Sequence, residues 1–208
     1  MVTSGLGSGL GPGLGSGPGE NASTPPPSMR APHSALLFFA LYAVIGLWIV
    51  DKGAIAAPWL VCSLLLAATL AQLSSIDLAT FRLPDYLTLP LVTAGMLLPW
   101  ITGVPGVLER GLAAAGAFAL LAGVAEAYRR LRGRPGLGLG DAKLFAAAGA
   151  WLGAEPLPQV LLWATGAALT AVVVSALRGG AITRETRIAF GPFLAFGFWM
   201  AWITRAPL

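Results

Sequence analysis

The sequence predicts an all-α, polytopic membrane protein. It is expected to have about six to seven transmembrane helices and a two-aspartate site at the cytoplasmic membrane edge. Composition is the first observation. The chain is 56% hydrophobic and 11% charged, with mean hydropathy +0.77, where a soluble domain carries roughly 25% charged residues. The second is a succession of apolar runs at 34–50, 56–76, 86–101, 106–128, 141–153, 158–177 and 188–204. The third is that most basic residues lie in the short connections between those runs, where they set topology.

Residues 1–33 form a Gly/Pro/Ser-rich tail ending in Pro25-Pro26-Pro27 and His33. Such a composition buries too little apolar surface to fold, so disorder is expected. Met29-Arg30 has the form of a natural start before an apolar run, and residues 1–28 are expected to be dispensable. The transmembrane domain then occupies 34–204. Its third and fifth runs fall short of the ~20 residues that a straight crossing needs, so the fifth reads as a partial or deeply buried helix. Small-residue clusters, Ala113-Ala114-Ala115-Gly116 and Ala146-Ala147-Ala148-Gly149, suit close helix packing.

With a cytoplasmic N-terminus, Arg30, Arg82, Arg129, Arg130, Arg132, Arg134, Lys143, Arg178, Arg184 and Arg187 fall inside. Lys52, Arg110 and Arg205 fall outside. The positive-inside rule selects that orientation, in a cell (inner or plasma) membrane crossed several times. Asp77 then ends an inward-running helix and Asp141 begins an outward-running one, so both carboxylates reach the cytoplasmic edge. No basic patch is interleaved with aromatics, so no nucleic-acid partner is expected. One cysteine, Cys62, and one histidine, His33, are too few for a zinc site or a Ser-His-Asp triad. No metal and no cofactor are expected.

Ionisable groups in membrane segments cost about 2.5–3.5 kcal/mol each at a helix centre, so they are functional suspects. Asp77 sits in the last turn of its helix, facing the negative end of the macrodipole. That is a poor place for stability, and the bland explanation is a pair with Arg82. Asp141 follows Gly136-Leu137-Gly138-Leu139-Gly140, and its bland explanation is a helix N-cap. The glycines around it let backbone or substrate come close. Asp85, after Pro84, reads as an N-cap. Lys143, two residues from Asp141, lies on another side of the helix and marks the interface. Glu126 is expected to pair with Arg129 or Arg130. Two converging carboxylates, one ionised and one protonated, can activate water and protonate a peptide carbonyl. Their proximity keeps them from ionising together.

Three stretches carry a family resemblance. They are Ile76-Asp77-Leu78 leading to Leu83-Pro84-Asp85-Tyr86-Leu87-Thr88-Leu89-Pro90, then Gly138-Leu139-Gly140-Asp141-Ala142-Lys143-Leu144 with Gly149-Ala150-Trp151-Leu152-Gly153, then Ala189-Phe190-Gly191-Pro192-Phe193-Leu194-Ala195. Together, over residues 34–204, the chain resembles the prepilin leader peptidases, membrane aspartic proteases of type IV pilus and type II secretion systems. The resemblance implies that Asp77 and Asp141 are catalytic, and that Asp85, Gly138, Gly140, Lys143, Gly191 and Pro192 support the site or bind substrate. Gly191-Pro192 is expected to set a break or a helix start beside it. The implied partners are the lipid bilayer and a prepilin or pseudopilin, whose short basic leader is cut after a glycine and before its apolar helix. Longer members carry a cytoplasmic insert with paired C-x-x-C motifs associated with N-methylation. With only Cys62 and no such insert, the resemblance does not extend to methyl transfer. It is closer to the compact peptidases of tight-adherence pili and archaeal flagellin-like systems.

Two other readings use the same residues. A transporter or pilus-assembly platform would relay protons through the buried carboxylates. A Ser-Lys protease would use Ser74 or Ser75 with Lys143, although serines in membrane helices commonly bond to the preceding turn.

Overall fold

The computed structural model describes residues 31–50, 57–102, 106–133, 138–178 and 189–205. Of the tail expected over residues 1–33, residues 1–30 lie outside these, as do Gly136, Leu137, Lys52, Arg134, Arg184 and Arg187, while 31–33 belong to the first helix. Each apolar run forms one helix. In order they are α1 (Ala31–Val50), α2 (Ala57–Thr80), α3 (Asp85–Thr102), α4 (Val107–Arg132), α5 (Leu139–Leu152), α6 (Leu157–Leu177) and α7 (Gly191–Ile203), and no strand occurs among the described residues. Backbone groups must be satisfied within each segment in lipid, which is why apolar runs of this length become helices. By length and composition, Trp59–Thr80, Val107–Arg132 and Leu157–Leu177 can cross a membrane, and Gly191–Ile203 is a shorter apolar helix. The architecture is that of an all-α, multi-pass membrane protein.

The fifth run is the buried centre. At 14 residues, α5 is about 21 Å long, short of the ~30 Å hydrocarbon core. It packs against α3, α4 and α7, while α2 joins α7 to α1 and α6 rests on α7. Almost all of α5 from Asp141 to Trp151 is buried. Small residues make this possible. A Cβ on Gly149 would lie 2.7 Å from the Ala113 carbonyl oxygen, and one on Gly197 would overlap the Val160 carbonyl oxygen. At these points α4 meets α5 and α6 meets α7 backbone to backbone, the close approach that lipid-embedded helices rely on.

Polar contacts mark the two ends of the bundle. At one end Trp59 stacks on Trp202 at 4.2 Å between ring centroids. There Trp202 Nε1 donates to Ser63 Oγ at 2.8 Å, and Arg205 pairs with Glu155 at 3.0 Å. Arg110 also reaches from α4 to the terminal carbonyls of α5, those of Ala150 and Trp151. These carbonyls have no intrahelical donors and form the negative end of the dipole. The opposite end gathers the C-termini of α2, α4 and α6 and the N-termini of α3, α5 and α7. Of the described basic residues, Arg82, Arg129, Arg130, Lys143, Arg132 and Arg178 lie at that end, and Arg110 and Arg205 at the other.

The close packing predicts a contrast between two glycines. Gly149→Val should destabilise the protein by about 1–3 kcal/mol through overpacking. Gly123→Val, with nothing within 4 Å of its added Cβ, should leave stability unchanged or raise it slightly, since valine has the better helix propensity. Thermal unfolding of both variants in one detergent checks this. Equal losses would contradict the packing.

Candidate active site

Asp77 and Asp141 are 5% and 7% exposed, and they are the only buried carboxylates or cations among the described residues. Asp77 belongs to the last turn of α2 and Asp141 to the first turn of α5. The two side chains lie within electrostatic reach of each other. Neither forms an ion pair with any described residue. The pairing of Asp77 with Arg82, weighed above, is therefore not made. An unpaired buried carboxylate is costly, and two at one place are hard to explain by stability.

Backbone amides replace the missing cations. The Gly191 N–H, at the start of α7, donates to Asp77 Oδ2 at 3.0 Å. This brings the positive end of the α7 dipole to a carboxylate otherwise set against the negative end of its own helix. Gly191 has no room for a side chain, since a Cβ would stand 2.5 Å from Asp77 Oδ2. Pro192 follows inside the first turn, where its missing N–H costs nothing. The expectation of a helix start at Gly191-Pro192 thus holds, and the direct bond to Asp77 is a contact that no sequence pattern signalled.

Asp141 departs from one reading. Gly138 occupies the N-cap of α5, in extended conformation, so Asp141 is the third helical residue rather than the cap. Its carboxylate takes a hydrogen bond from the Gly138 backbone, the reach from third position to cap seen in capping boxes. Gly140 lies against the α2–α3 connection. A Cβ there would stand 2.8 Å from the Cβ of Leu83. Leu83 itself carries no chemical signal in sequence, yet it sets how closely the two aspartate-bearing helix ends approach.

Asp85 is likewise the first residue of α3 rather than the cap before it, and its Oδ1 pairs with Lys143 Nζ at 2.5 Å. Lys143 is partly exposed, and its ammonium is held by Asp85. Glu126 binds both Arg129, through a 2.9 Å bond, and Arg130, at 2.7 Å. Between Asp77 and the α3 start, Phe81 adopts φ 52°, a left-handed conformation rare for a bulky residue. Its N–H caps the Asp77 carbonyl at 2.8 Å. The hydroxyls of Ser74 and Ser75 donate to the carbonyls of Leu70 and Ala71 at 2.8 and 2.9 Å. Both serines therefore close onto the preceding turn, and the ammonium that a Ser-Lys mechanism would need is held by Asp85.

Comparison with known proteins bears on this arrangement. The Type IV leader peptidase family matches residues 64–175, more than half of the chain and a span that holds both buried aspartates. A "Prepilin leader peptidase/N-methyltransferase" of Burkholderia pseudomallei (strain 1026b) is 40% identical over 146 residues, 70% of this chain and 45% of the relative. Proteins of the same description from Aeromonas salmonicida (strain A449) and Klebsiella pneumoniae are 36% and 40% identical. These alignments cover 84% and 69% of this chain, and 58% and 60% of the relatives. The chain spans about half the length of the curated relatives it matches. No solved structure is significantly similar to it. On the family match, which takes in both helix ends that carry the buried acids, the chain belongs to the Type IV leader peptidase family.

Proposed function

We propose that the chain is a membrane-embedded aspartic endopeptidase that removes the short basic leader from type IV prepilins or pseudopilins, with Asp77 and Asp141 as its catalytic residues. The observation that carries this reading is a pair of buried carboxylates at one end of the bundle, within electrostatic reach of each other and without an ion-pair partner among the described residues. In the working state one carboxylate is ionised and the other protonated. The ionised one takes a proton from a water lying between them, and the oxygen of that water attacks the scissile carbonyl carbon. The protonated one gives its proton to the carbonyl oxygen, producing a neutral tetrahedral diol. As the diol collapses, the now ionised carboxylate takes a proton from one diol hydroxyl, the C–N bond breaks and the protonated carboxyl gives its proton to the leaving nitrogen, so the pair again holds one proton between two acids. The Gly191 N–H holds Asp77 in place throughout and consumes no proton.

The location suits the substrate class. With the aspartate end in the cytoplasm, as the distribution of basic residues favours, a leader protruding from the membrane edge presents its scissile bond there. The apolar helix that follows the leader stays in lipid. This reading includes an N-terminus on the cytoplasmic side and a peptidase domain over 34–204. It does not include methyl transfer. The relatives' printed names join both activities, and the residues described here assemble only the acid pair.

Asp77→Asn and Asp141→Asn are each expected to abolish leader removal while the protein still inserts. The test is co-expression with a prepilin from the same genome, read by mass spectrometry. Full cleavage by either variant would overturn the mechanism. Ser74→Ala and Ser75→Ala should cleave at the wild-type level, and loss of activity there would favour the Ser-Lys alternative. Gly191→Ala pushes a methyl group into Asp77 Oδ2, and misplacement of this size costs on the order of 10²-fold in rate.

The rate should trace a bell against pH. It falls on the acid side as both carboxyls become protonated and no base remains. It falls on the alkaline side as both ionise and no acid remains. The two apparent pKa values belong to the pair. A rate that stays level through both limbs would contradict a shared-proton mechanism.

A further inference from the structure

We propose that the Asp85–Lys143 ion pair, together with Leu83 seated on Gly140, is a positioning latch that sets the separation of Asp77 and Asp141. The pair links α3 to α5 across 58 residues of sequence. Each partner lies close along the chain to one acid: Lys143 is two residues past Asp141, and Asp85 is eight past Asp77. Closing the ion pair therefore ties together the two stretches of backbone that carry the carboxylates.

The connection between Asp77 and Asp85 is built to transmit that tie. Phe81 turns the chain sharply at φ 52°, its N–H bonded to the Asp77 carbonyl. The Thr80 hydroxyl spans the turn to the Arg82 carbonyl at 3.2 Å. Leu83 then lies on Gly140, where a Cβ would stand 2.8 Å from its own. Non-glycine residues persist in left-handed conformations only where their surroundings over-determine them. Phe81 is itself exposed, so its turn is held by the bond to the α2 end and by Leu83 two residues on, seated on Gly140 of α5.

Lys143 acts through this contact rather than on substrate, because its ammonium is taken by Asp85. The partners are 30% and 59% exposed, and ion pairs this accessible contribute little to global stability. Loss of the latch should therefore be read in the spacing of the acids and in turnover more than in unfolding.

The test uses the full chain in membranes. With Cys62→Ser, Asp77→Cys and Asp141→Cys in place, dibromobimane bridges the two thiols when they lie close together. Asp85→Asn or Lys143→Gln added to that background should lower the bridging yield several-fold. The reversed pair, Asp85→Lys with Lys143→Asp, should restore it, and Lys143→Arg should keep it. In the chain with both aspartates, the same single variants should lower kcat by about 10- to 100-fold with KM unchanged. Lys143→Arg should retain kcat, and the reversed pair should regain most of it.

Unchanged bridging in both single variants would overturn the latch. So would loss of bridging in Lys143→Arg. A rise in KM with kcat intact would make Lys143 or Asp85 a substrate contact instead. The kinetic arm rests on the peptidase reading, whereas the bridging arm does not. A chain whose bridging follows the ion pair but which cuts no prepilin would overturn the function and leave the latch standing.

Discussion

The hydrogen bond from the Gly191 amide to Asp77 is the contact on which the site depends. Asp77 closes a helix whose own dipole repels it, and no cation among the described residues pairs with it. Such a side chain is held only if another element brings a donor. The start of α7 does so, and it can come near enough only because residue 191 lacks a Cβ. Displacing α7 would leave a buried, unsolvated carboxylate, which costs far more than the hydrogen bond itself contributes.

The same logic explains why α5 is short. A helix of full membrane-spanning length would carry Asp141 past the end of the bundle into water. At 14 residues, α5 leaves Leu139 exposed at its start and buries Asp141 within that first turn, where Leu83 of the α2–α3 connection lies on Gly140. Its far end leaves carbonyls without intrahelical donors. Arg110 supplies the donors there, and Trp151 anchors the last turn to α3 through a 2.8 Å bond to the Leu91 carbonyl. Glycine and alanine along α5 let α4 approach closely enough to cover it. A buried short helix, small-residue seams and an arginine at its end are one arrangement serving the placement of one carboxylate.

Membrane packing also separates chemical residues from structural ones at this site. Ser74, Ser75 and Thr88 are buried, polar and close by in sequence to Asp77 or Asp85, yet each hydroxyl is bonded to the preceding turn of its own helix. Glu126 is paired twice at the surface. Among the described residues, the two aspartates are the only buried carboxylates or cations, and neither has an ion-pair partner. That leftover pair, rather than any single motif, distinguishes acid–base chemistry from helix capping and from a nucleophilic serine.

The helical architecture was legible in the chain because lipid imposes a simple rule: a long apolar run must satisfy its backbone internally. The seven helices of the described residues stand where the apolar runs are, and the shortness of the fifth already pointed to a partial or deeply buried helix. The two acids were legible too, as costly groups at the ends of apolar runs, and the glycine spacing around Asp141 pointed to close approach. Helix ends were less so. Asp85 and Asp141 resembled caps, but Pro84 and Gly138 precede their helices, since capping depends on where the backbone turns, which a residue type only biases. What tertiary structure alone decided was partnership: Gly191 with Asp77, Leu83 with Gly140, Lys143 with Asp85, Arg110 with the end of α5. These contacts join residues 40 to 114 positions apart. No local periodicity encodes them, because they arise only when separate helices pack and leave particular atoms facing one another.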